Sequence, residues 1–328
     1  MALEKPKKPT KKGARPATAR AKAPKRPGRV APADPFSEKA LVDTFTELYR
    51  RAATAMPPDV IAAVERAHDA EAEGSVARDT LGVLLANSRL AKDTSRPICQ
   101  DTGMPYFEVG APRGVSIGAV ERAATKATKA ATARGYLRPN SVDTLSNRNP
   151  GDGAGRGMPI VHVHEHGRKS LHVRLLLKGG GCENVGAQYT LPNAELGADR
   201  DLEGVKRIVL DAIFKAQGKG CAPGVLGVCF GGDRANGLLE AKRQLFRKLD
   251  DAHAEPALAA MEKELLEKGN RLGIGPMGYG GATTLLGVKV GYLARLPASY
   301  FVSVSYMCWA TRRAEVEISP AGRAVYSQ

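Results

Sequence analysis

The amino-acid composition of the chain changes near residue 36. This boundary limits what the chain can fold into more than any other feature does. Residues 1–33 contain eleven Lys and Arg but only one Glu, and they are otherwise rich in Pro and Ala. Prolines lack an amide donor and interrupt helices, and a segment with so few apolar side chains has no core to bury. We therefore expect a disordered basic tail over residues 1–35 and a folded domain over residues 36–328.

The distribution of charge and apolar residues narrows the function classes. The formal net charge is +15, and +10 of it lies in residues 1–33, so the folded domain carries little excess charge for nucleic acid. Weak polyanion binding by the tail remains an alternative to a solubilising extension. Apolar runs are far shorter than the roughly 20 residues of a membrane helix, and the tail lacks the apolar segment of a secretory signal. We expect a cytoplasmic protein without a membrane span.

Apolar spacing predicts a helix-rich domain. Apolar side chains recur at helical spacing in seven segments and fit strands in six others. Two of these strand segments flank Gly167 closely and predict a β-hairpin. Glycine-rich runs lie at strand ends, where backbone can approach a ligand closely. This pattern predicts an α+β fold with a mixed sheet. The predicted helices are 37–55, 58–70, 75–92, 116–134, 201–216, 233–249 and 254–268; the predicted strands are 105–109, 159–165, 170–177, 224–230, 283–292 and 300–307.

The glycine loop at 273–281 raises the question of nucleotide binding. Gly273, Gly275 and Gly278 are spaced as GxGxxG. A helix is predicted before this loop and a strand after it, which reverses the order of a dinucleotide site. The loop therefore argues against nucleotide binding.

The five cysteines include no CxxC pair, so a zinc ribbon or a thioredoxin-like centre is unsupported. Cys99, Cys221 and Cys308 each lie at a junction beside Gly, Pro or polar residues. Cys229 lies inside an apolar strand and fits a small buried hydrophobe. Three thiolates from three loops could hold an iron–sulfur cube at three corners and leave one iron open as a Lewis acid. From composition alone, free cysteines remain the simpler interpretation.

Five ordered motifs make the cysteine contexts specific. They are ICQDTG (98–103), KGGGCEN (178–184), GCAPGVLGVCFGG (220–232), GIGPMGYGG (273–281) and ARLPASYFVSVSYMCWATRR (294–313). Together they resemble the alpha part of class I fumarate hydratase and the alpha subunit of L(+)-tartrate dehydratase. The resemblance covers roughly residues 36–328. It implies a hydro-lyase that hydrates fumarate to malate in the tricarboxylic acid cycle.

The resemblance also implies a cofactor. Relatives carry an oxygen-sensitive [4Fe-4S] cluster held by three cysteines. The matching residues here are Cys99, Cys221 and Cys308. These are the same three cysteines that lie at junctions beside Gly, Pro or polar residues.

Substrate contacts are implied by the same motifs. The resemblance gives Gln100 a role in substrate binding and Asp101 a role in proton transfer. Arg138 matches an arginine that binds a substrate carboxylate, for which its bidentate fork is well suited. Gly180 and Gly181 would place backbone amides against the substrate.

Three departures from the family pattern stand out. Cys182 replaces a frequent Ser, and we favour an isostere because a fourth protein ligand would close the catalytic iron. Ala222 replaces a Pro after the second ligand. Near Leu296 the chain lacks a His that some relatives carry, so a proton relay that used it would differ here.

Several alternatives remain open. The chain continues for only fifteen residues after Arg313, so we expect a separate beta subunit to complete the active site. L(+)-tartrate or methylfumarate could replace fumarate as the dicarboxylate substrate. A non-catalytic iron–sulfur carrier is the alternative from another class. Arg312 and Arg313 could tune the cluster, bind an acidic substrate or form a plain salt bridge, and the polar loop 139–157 could be a flap, a partner surface or a set of turns.

Overall fold

The structure is a computed structural model and describes residues 1–3 and 34–328. Of the expected disordered tail, residues 1–35, residues 4–33 lie outside the described residues. The helices are α1 (Glu38–Thr54), α2 (Pro58–Ala70), α3 (Val76–Thr94), α4 (Ile117–Ala133), α5 (Gly180–Glu183), α6 (Leu202–Ala216), α7 (Arg234–Gln244) and α8 (Pro256–Asn270). The strands are β1 (Met104–Pro112), β2 (Ile160–His166), β3 (Leu171–Lys178), β4 (Ala187–Thr190), β5 (Gly224–Gly231), β6 (Leu285–Leu293), β7 (Phe301–Met307), β8 (Arg312–Ile318) and β9 (Ala324–Ser327).

Local signals explain where the helices begin and what they bury. The hydroxyl of Ser75 accepts a hydrogen bond from the Arg78 N–H and caps α3, and Asp201 caps α6 in the same way. In α1 the apolar positions at helical spacing, which include Leu41 and Phe45, are fully buried. Among the described residues, no helix is both long and apolar enough to cross a membrane.

The strands form two mixed sheets. A five-stranded sheet has the order β2-β1-β3-β8-β9, and a four-stranded sheet has the order β4-β7-β5-β6. The pairs β1/β2 and β5/β6 are parallel, and the others are antiparallel. Together with the helices, this architecture confirms the predicted α+β class with mixed sheets.

The predicted hairpin around Gly167 is wrong, because β1 lies between β2 and β3. Tyr106 of β1 pairs with Ile160 on one side and with Leu176 on the other. Every residue of β1 after Met104 is buried. Its backbone groups therefore need partners on both edges, and the two flanking strands supply them.

Three strands have no counterpart in the sequence prediction: β4, β8 and β9. The most consequential is β8, which packs inside the five-stranded sheet although it begins with two arginines. Arg312 and Arg313 are only 1% and 2% exposed. Two adjacent charged residues usually indicate a solvent-exposed segment. The burial of this strand is therefore explained only by the partners that the two arginines meet in the folded chain.

Each sheet has its own apolar core. One core lies between the five-stranded sheet and helices α1 and α4, and it includes Phe45, Phe107 and Val316. The other surrounds the four-stranded sheet with α2, α6 and α8, and it includes Ile208 and Val228. The loops that carry the sequence motifs lie at strand ends next to these cores.

Candidate functional site

The first motif lies between α3 and β1 and is held from several directions. The Ile98 N–H donates to the carbonyl of Ala53 at 3.0 Å, and the Asn87 amide donates to the Ile98 carbonyl at 2.8 Å. Arg312 Nη1 donates to the backbone carbonyl of Asp101 at 2.6 Å. The three consecutive residues 99–101 are therefore positioned by two helices and by β8.

The Asp101 carboxylate is bound by backbone amides. Its Oδ2 accepts from the N–H groups of Gly180 at 2.7 Å and Gly181 at 3.5 Å, and its Oδ1 accepts from Gly103 at 3.1 Å. Gly103 has φ +82°, and a Cβ there would lie 2.8 Å from the Leu177 carbonyl carbon, so only glycine fits. The amides that the resemblance assigns to substrate thus contact Asp101 in the structure.

Arg138 is brought to the same place through Thr102. The buried Thr102 hydroxyl accepts from the Arg138 N–H at 3.1 Å and from the Asn140 amide at 2.9 Å. The exposed Arg138 guanidinium donates to the Gln100 carbonyl at 3.3 Å. A residue that is 38 positions away in sequence therefore lies beside the first motif.

These groups surround one cavity of about 620 Å³. Gln100, Asp101, Arg138 and Gly180 line it, together with Asn184. Gly181 does not line it directly, although its amide reaches Asp101. The cavity is large enough for a small dicarboxylate.

Sequence reasoning missed two cations at this cavity. Lys178 is 5% exposed, and its Nζ lies 2.6 Å from Glu183 Oε2, while Lys242 Nζ lies 2.7 Å from Glu183 Oε1. Burial opposes ionisation of Glu183, but the charges and hydrogen bonds of the two lysines prevail and lower its pKa. Lys178 begins the KGGG motif and could have been noticed. Lys242 carries no local signal, because it lies on a helix that reaches the cavity only through tertiary packing.

The two arginines of β8 have different partners. Arg313 forms a buried ion pair with Asp59. Of the three roles left open by the sequence, Arg313 therefore has that of a salt-bridge partner. Arg312 contacts Asp101, and its buried Nε has no hydrogen-bond partner among the described residues. Arg312 therefore provides a desolvated positive charge next to the site.

The polar loop 139–157 combines turns with a wall of the cavity. Asp143 accepts from the N–H and hydroxyl of Ser146, and Asp152 pairs with Lys129, so both carboxylates act in local structure. Val142 of the same loop lines the cavity, and Leu145 is 97% exposed. The prediction of turns therefore holds for Asp143 and Asp152. The loop also forms part of the cavity wall through Val142.

The second and third cysteine loops are tied together. Cys221 follows α6 in a left-handed conformation with φ +57°, and Cys308 directly follows β7. The Trp309 N–H donates to the Cys221 carbonyl at 3.2 Å. None of the five cysteines forms a disulfide.

The pKa of the Cys221 thiol is raised. Burial of the thiol is the main cause that raises the pKa of Cys221, although the residue as a whole is exposed. The negative charges of Cys99, Cys182 and Asp101 raise this pKa further.

The pKa values of Cys182 and Cys308 are shifted in opposite directions. A hydrogen bond from Cys308, assisted by the charge of Lys178 against the opposing effect of burial, lowers the pKa of Cys182 to about 6. The same hydrogen bond, together with burial, raises the pKa of Cys308.

The donor set fits an iron–sulfur cluster. Thiolates are the usual cluster ligands, and Cys99, Cys221 and Cys308 come from three loops. The Trp309 N–H joins the third loop to the Cys221 carbonyl, and the Arg312 side chain contacts the backbone of the first motif at Asp101. Within residues 34–328, no three His, Cys, Asp or Glu side chains are grouped closely enough to hold a single metal ion. An α+β fold with a cavity lined by cations, amides and a carboxylate defines a candidate active site.

Comparison with known proteins gives the family. The model of the Fumarate hydratase (Fumerase) family matches residues 42–317. The chain therefore belongs to the fumarate hydratase family, which confirms the resemblance seen in the motifs.

Individual relatives carry two kinds of name. A protein provisionally named fumarate hydratase class I from Geobacillus stearothermophilus is 44% identical over 85% of this chain, which spans only 55% of that protein. A protein provisionally named L(+)-tartrate dehydratase subunit alpha from Methanocaldococcus jannaschii is 36% identical over 83% of this chain and 95% of its own length. The L(+)-tartrate dehydratase subunit alpha of Escherichia coli K12 is 31% identical over 83% of this chain and 88% of its own length.

Proposed function

We propose that this chain is the alpha subunit of a [4Fe-4S]-dependent hydro-lyase that interconverts fumarate and malate. The observation that carries the proposal is the continuity of the first motif with the cavity. A thiol, a carboxamide and a carboxylate follow one another in sequence at Cys99, Gln100 and Asp101, and the last two line the cavity beside Arg138. Membership of the fumarate hydratase family supports this assignment.

Substrate binding follows from the charges around the cavity. Arg138 presents a guanidinium to one carboxylate of the dianion, and Gln100 offers an amide to a hydroxyl or carboxylate. Lys178 and Lys242 supply positive charge that Glu183 only partly neutralises. The cavity is therefore suited to a dianion rather than to a neutral ligand.

Proton transfer is assigned to Asp101. A substrate carboxylate competes with the Asp101 side chain for the amides of Gly180 and Gly181. When substrate takes these donors, the Asp101 carboxylate is released toward the substrate and accepts the C3 proton in the dehydration direction. Arg312 keeps the Asp101 backbone in place during this exchange.

The cluster would be held by Cys99, Cys221 and Cys308. When bound by three thiolates, such a cluster supplies a Lewis-acidic iron that assists departure or addition of the substrate hydroxyl. The proposed cofactor is supported by the hydrogen bond between the Cys221 and Cys308 loops and by the absence of disulfides among the five cysteines.

L(+)-tartrate is the second candidate substrate. Two of the relatives above carry the name L(+)-tartrate dehydratase subunit alpha and match most of their own length. Tartrate adds a second hydroxyl to the malate skeleton, and the Asn184 amide at the cavity wall could bind it. Methylfumarate needs instead an apolar contact, such as Val142.

A beta subunit is proposed to complete the site. The names of two of the relatives contain the words subunit alpha, and the exposed Leu145 lies on the loop 139–157, of which Val142 lines the cavity. Five free cysteines suit a reducing compartment, so we propose that the complex works in the cytoplasm.

The decisive test is an anaerobic substrate panel. The alpha chain is co-purified with its beta partner without oxygen, iron and sulfide are quantified, and fumarate, L-malate, L(+)-tartrate and methylfumarate are assayed under identical conditions. We expect about four irons and four sulfides per alpha chain, with the highest kcat/KM for fumarate and malate. A complex that is highest on tartrate establishes the second candidate. A complex without iron and sulfide, or one with a cluster but no turnover of any of the four acids, overturns the proposal.

A further inference from the structure

The helix α3 carries an apolar stripe on its exposed side. Val76, Val83 and Leu90 are spaced by seven residues, which is close to two helical turns, so they lie on one side of the helix. They are 61%, 66% and 63% exposed, and Ala86 beside them is exposed as well. The opposite side of α3 packs into the chain's own core. The stripe is therefore an aligned apolar surface in contact with solvent, unlike scattered single side chains.

The stripe leads into a recess at the beginning of α3. Val76 lines a cavity of about 560 Å³ together with Ala72 and Tyr279, and Tyr279 is 67% exposed. An aliphatic side chain from another molecule would fit into this recess against the tyrosine ring. The exposed surface therefore has protruding apolar side chains along the helix and a place to receive one at its N-terminal end.

Two charged residues lie beside the stripe at complementary positions. Asp79 is four residues before Val83, Arg89 is six residues after it, and both are exposed. At about 100° per residue, Asp79 and Arg89 lie on the same flank of α3. Neither forms a salt bridge with another of the described residues. This flank of the helix therefore carries one acidic and one basic group that are free to meet a partner.

We propose that α3 is the contact surface between two copies of this chain, which pack their α3 helices antiparallel about a two-fold axis near Val83. The same patch then serves both copies, as a two-fold interface requires. Val83 of one copy meets Val83 of the other at the centre. Leu90 of each copy enters the recess beside Val76 and Tyr279 of the other, because Leu90 and Val76 are equally far from Val83.

The charges favour a second copy over an unrelated partner. The two-fold axis brings Asp79 of one copy to within about 3 Å of Arg89 of the other, measured along the helix axis. Because the same flanks face each other in this packing, two equivalent ion pairs form. The antiparallel helix dipoles also attract each other. A helix that contains both halves of each contact is self-complementary, whereas a different partner would not require this symmetry.

The first test is the association state of the full chain, purified without oxygen and kept in a thiol reductant so that disulfides cannot link the copies. Sedimentation over a range of concentrations should show a reversible dimer. Val83→Glu places two like charges at the two-fold axis, so the dimer dissociation constant should rise at least a hundredfold. Ile117→Glu is the matched control, because Ile117 is an apolar residue of α4 that is 54% exposed, and this variant should remain dimeric.

The second test exchanges the charges. Asp79→Arg alone and Arg89→Asp alone each turn two ion pairs into like-charge contacts, so each should weaken the dimer by about tenfold. The double variant Asp79→Arg with Arg89→Asp restores opposite charges with reversed sign, so its dissociation constant should return to that of wild type. Circular dichroism and the thermal midpoint of each variant show that the fold is unchanged.

Four outcomes would overturn the proposal. They are a wild-type chain that stays monomeric at every concentration, a Val83→Glu chain that dimerises as tightly as wild type, a double charge variant no tighter than the single ones, and a Val83→Glu chain that stays dimeric but no longer binds the beta subunit. The last outcome would assign the stripe to the beta subunit. Because sedimentation needs neither substrate nor turnover, self-association and the proposed activity can each fail without the other.

Discussion

The two sheets contribute different chemistry to the site. The five-stranded sheet carries the charged and hydrogen-bonding groups, with Asp101 just before β1 and Lys178 at the end of β3. The four-stranded sheet carries soft sulfur donors, with Cys221 before β5 and Cys308 after β7. Only Cys99 places a proposed cluster ligand on the five-stranded side. Proton transfer and cluster binding are therefore separable, and variants on the two sides should fail in different ways.

The largest effect is expected on the four-stranded side. Cys221→Ser removes a proposed ligand, so the complex should lose both its cluster absorbance and essentially all of its hydro-lyase activity. Cys229→Ser, a buried thiol on β5 of the same sheet, should retain both. The check is the visible spectrum, the iron content and turnover of anaerobic material. Full activity of the Cys221→Ser complex would show that this thiol is not a ligand. The assignment of cluster binding to the four-stranded sheet would then be wrong.

The next largest effect is expected at Asp101. Asp101→Asn keeps the shape but cannot accept a proton, so kcat should fall by about 10²–10⁴-fold, the usual range for loss of a general base. Because Asp101 is not one of the three proposed cluster ligands, the iron content and the spectrum should stay at wild-type values. Steady-state kinetics and iron analysis of the same preparation measure both. Loss of the cluster along with activity would mean that Asp101 supports the metal rather than the proton.

A smaller effect is expected at Arg138. Arg138→Lys keeps the charge but removes the bidentate fork, so kcat/KM should fall about tenfold, mainly through a higher KM. Arg134→Lys is the matched control, because Arg134 is exposed at the end of α4 outside the cavity. Initial rates over a range of fumarate concentrations separate KM from kcat. Equal behaviour of the two variants would remove Arg138 from the substrate site.

The smallest effect concerns the stability of the five-stranded sheet. Glu315 on β8 lies 2.9 Å from His172 on β3, and this hydrogen bond outweighs burial and lowers the pKa of Glu315. A carboxyl whose pKa is lower in the folded state stabilises the fold above its unfolded pKa and loses that contribution as pH falls through the folded pKa. The pair is partly exposed, so Glu315→Gln should cost less than about 1 kcal/mol at neutral pH.

Urea unfolding at two pH values measures this contribution. The gap between wild type and Glu315→Gln should be present at pH 7 and should close as the pH drops below the ordinary range of glutamate near 4. A gap that stays constant or widens in acid would assign the stabilisation to packing rather than to the ion pair.

Much of the fold was predictable because it depends on local spacing. The apolar period of α1 and the run of β5 are visible in a few consecutive residues, and the structure has elements at both places. The hairpin around Gly167 was predicted wrongly, since the pairing of β2 and β3 with β1 depends on a strand that begins 56 residues before β2. The strand β8 was missed because its two arginines are buried by partners, Asp59 and Asp101, that are more than two hundred positions away.

The same division holds for the candidate site. Sequence by itself determined the candidate ligands Cys99, Cys221 and Cys308 and the adjacent residues Gln100 and Asp101, because contiguous motifs preserve residue type and order. Only the tertiary structure decided what the side chains meet: the amides of Gly180 and Gly181 around Asp101, and Lys242 beside the cavity. The physical reason is the distance along the sequence over which each kind of signal acts. Motifs and periodicity are local properties of the chain, whereas hydrogen bonds, ion pairs and thiol contacts form between residues that only folding brings together.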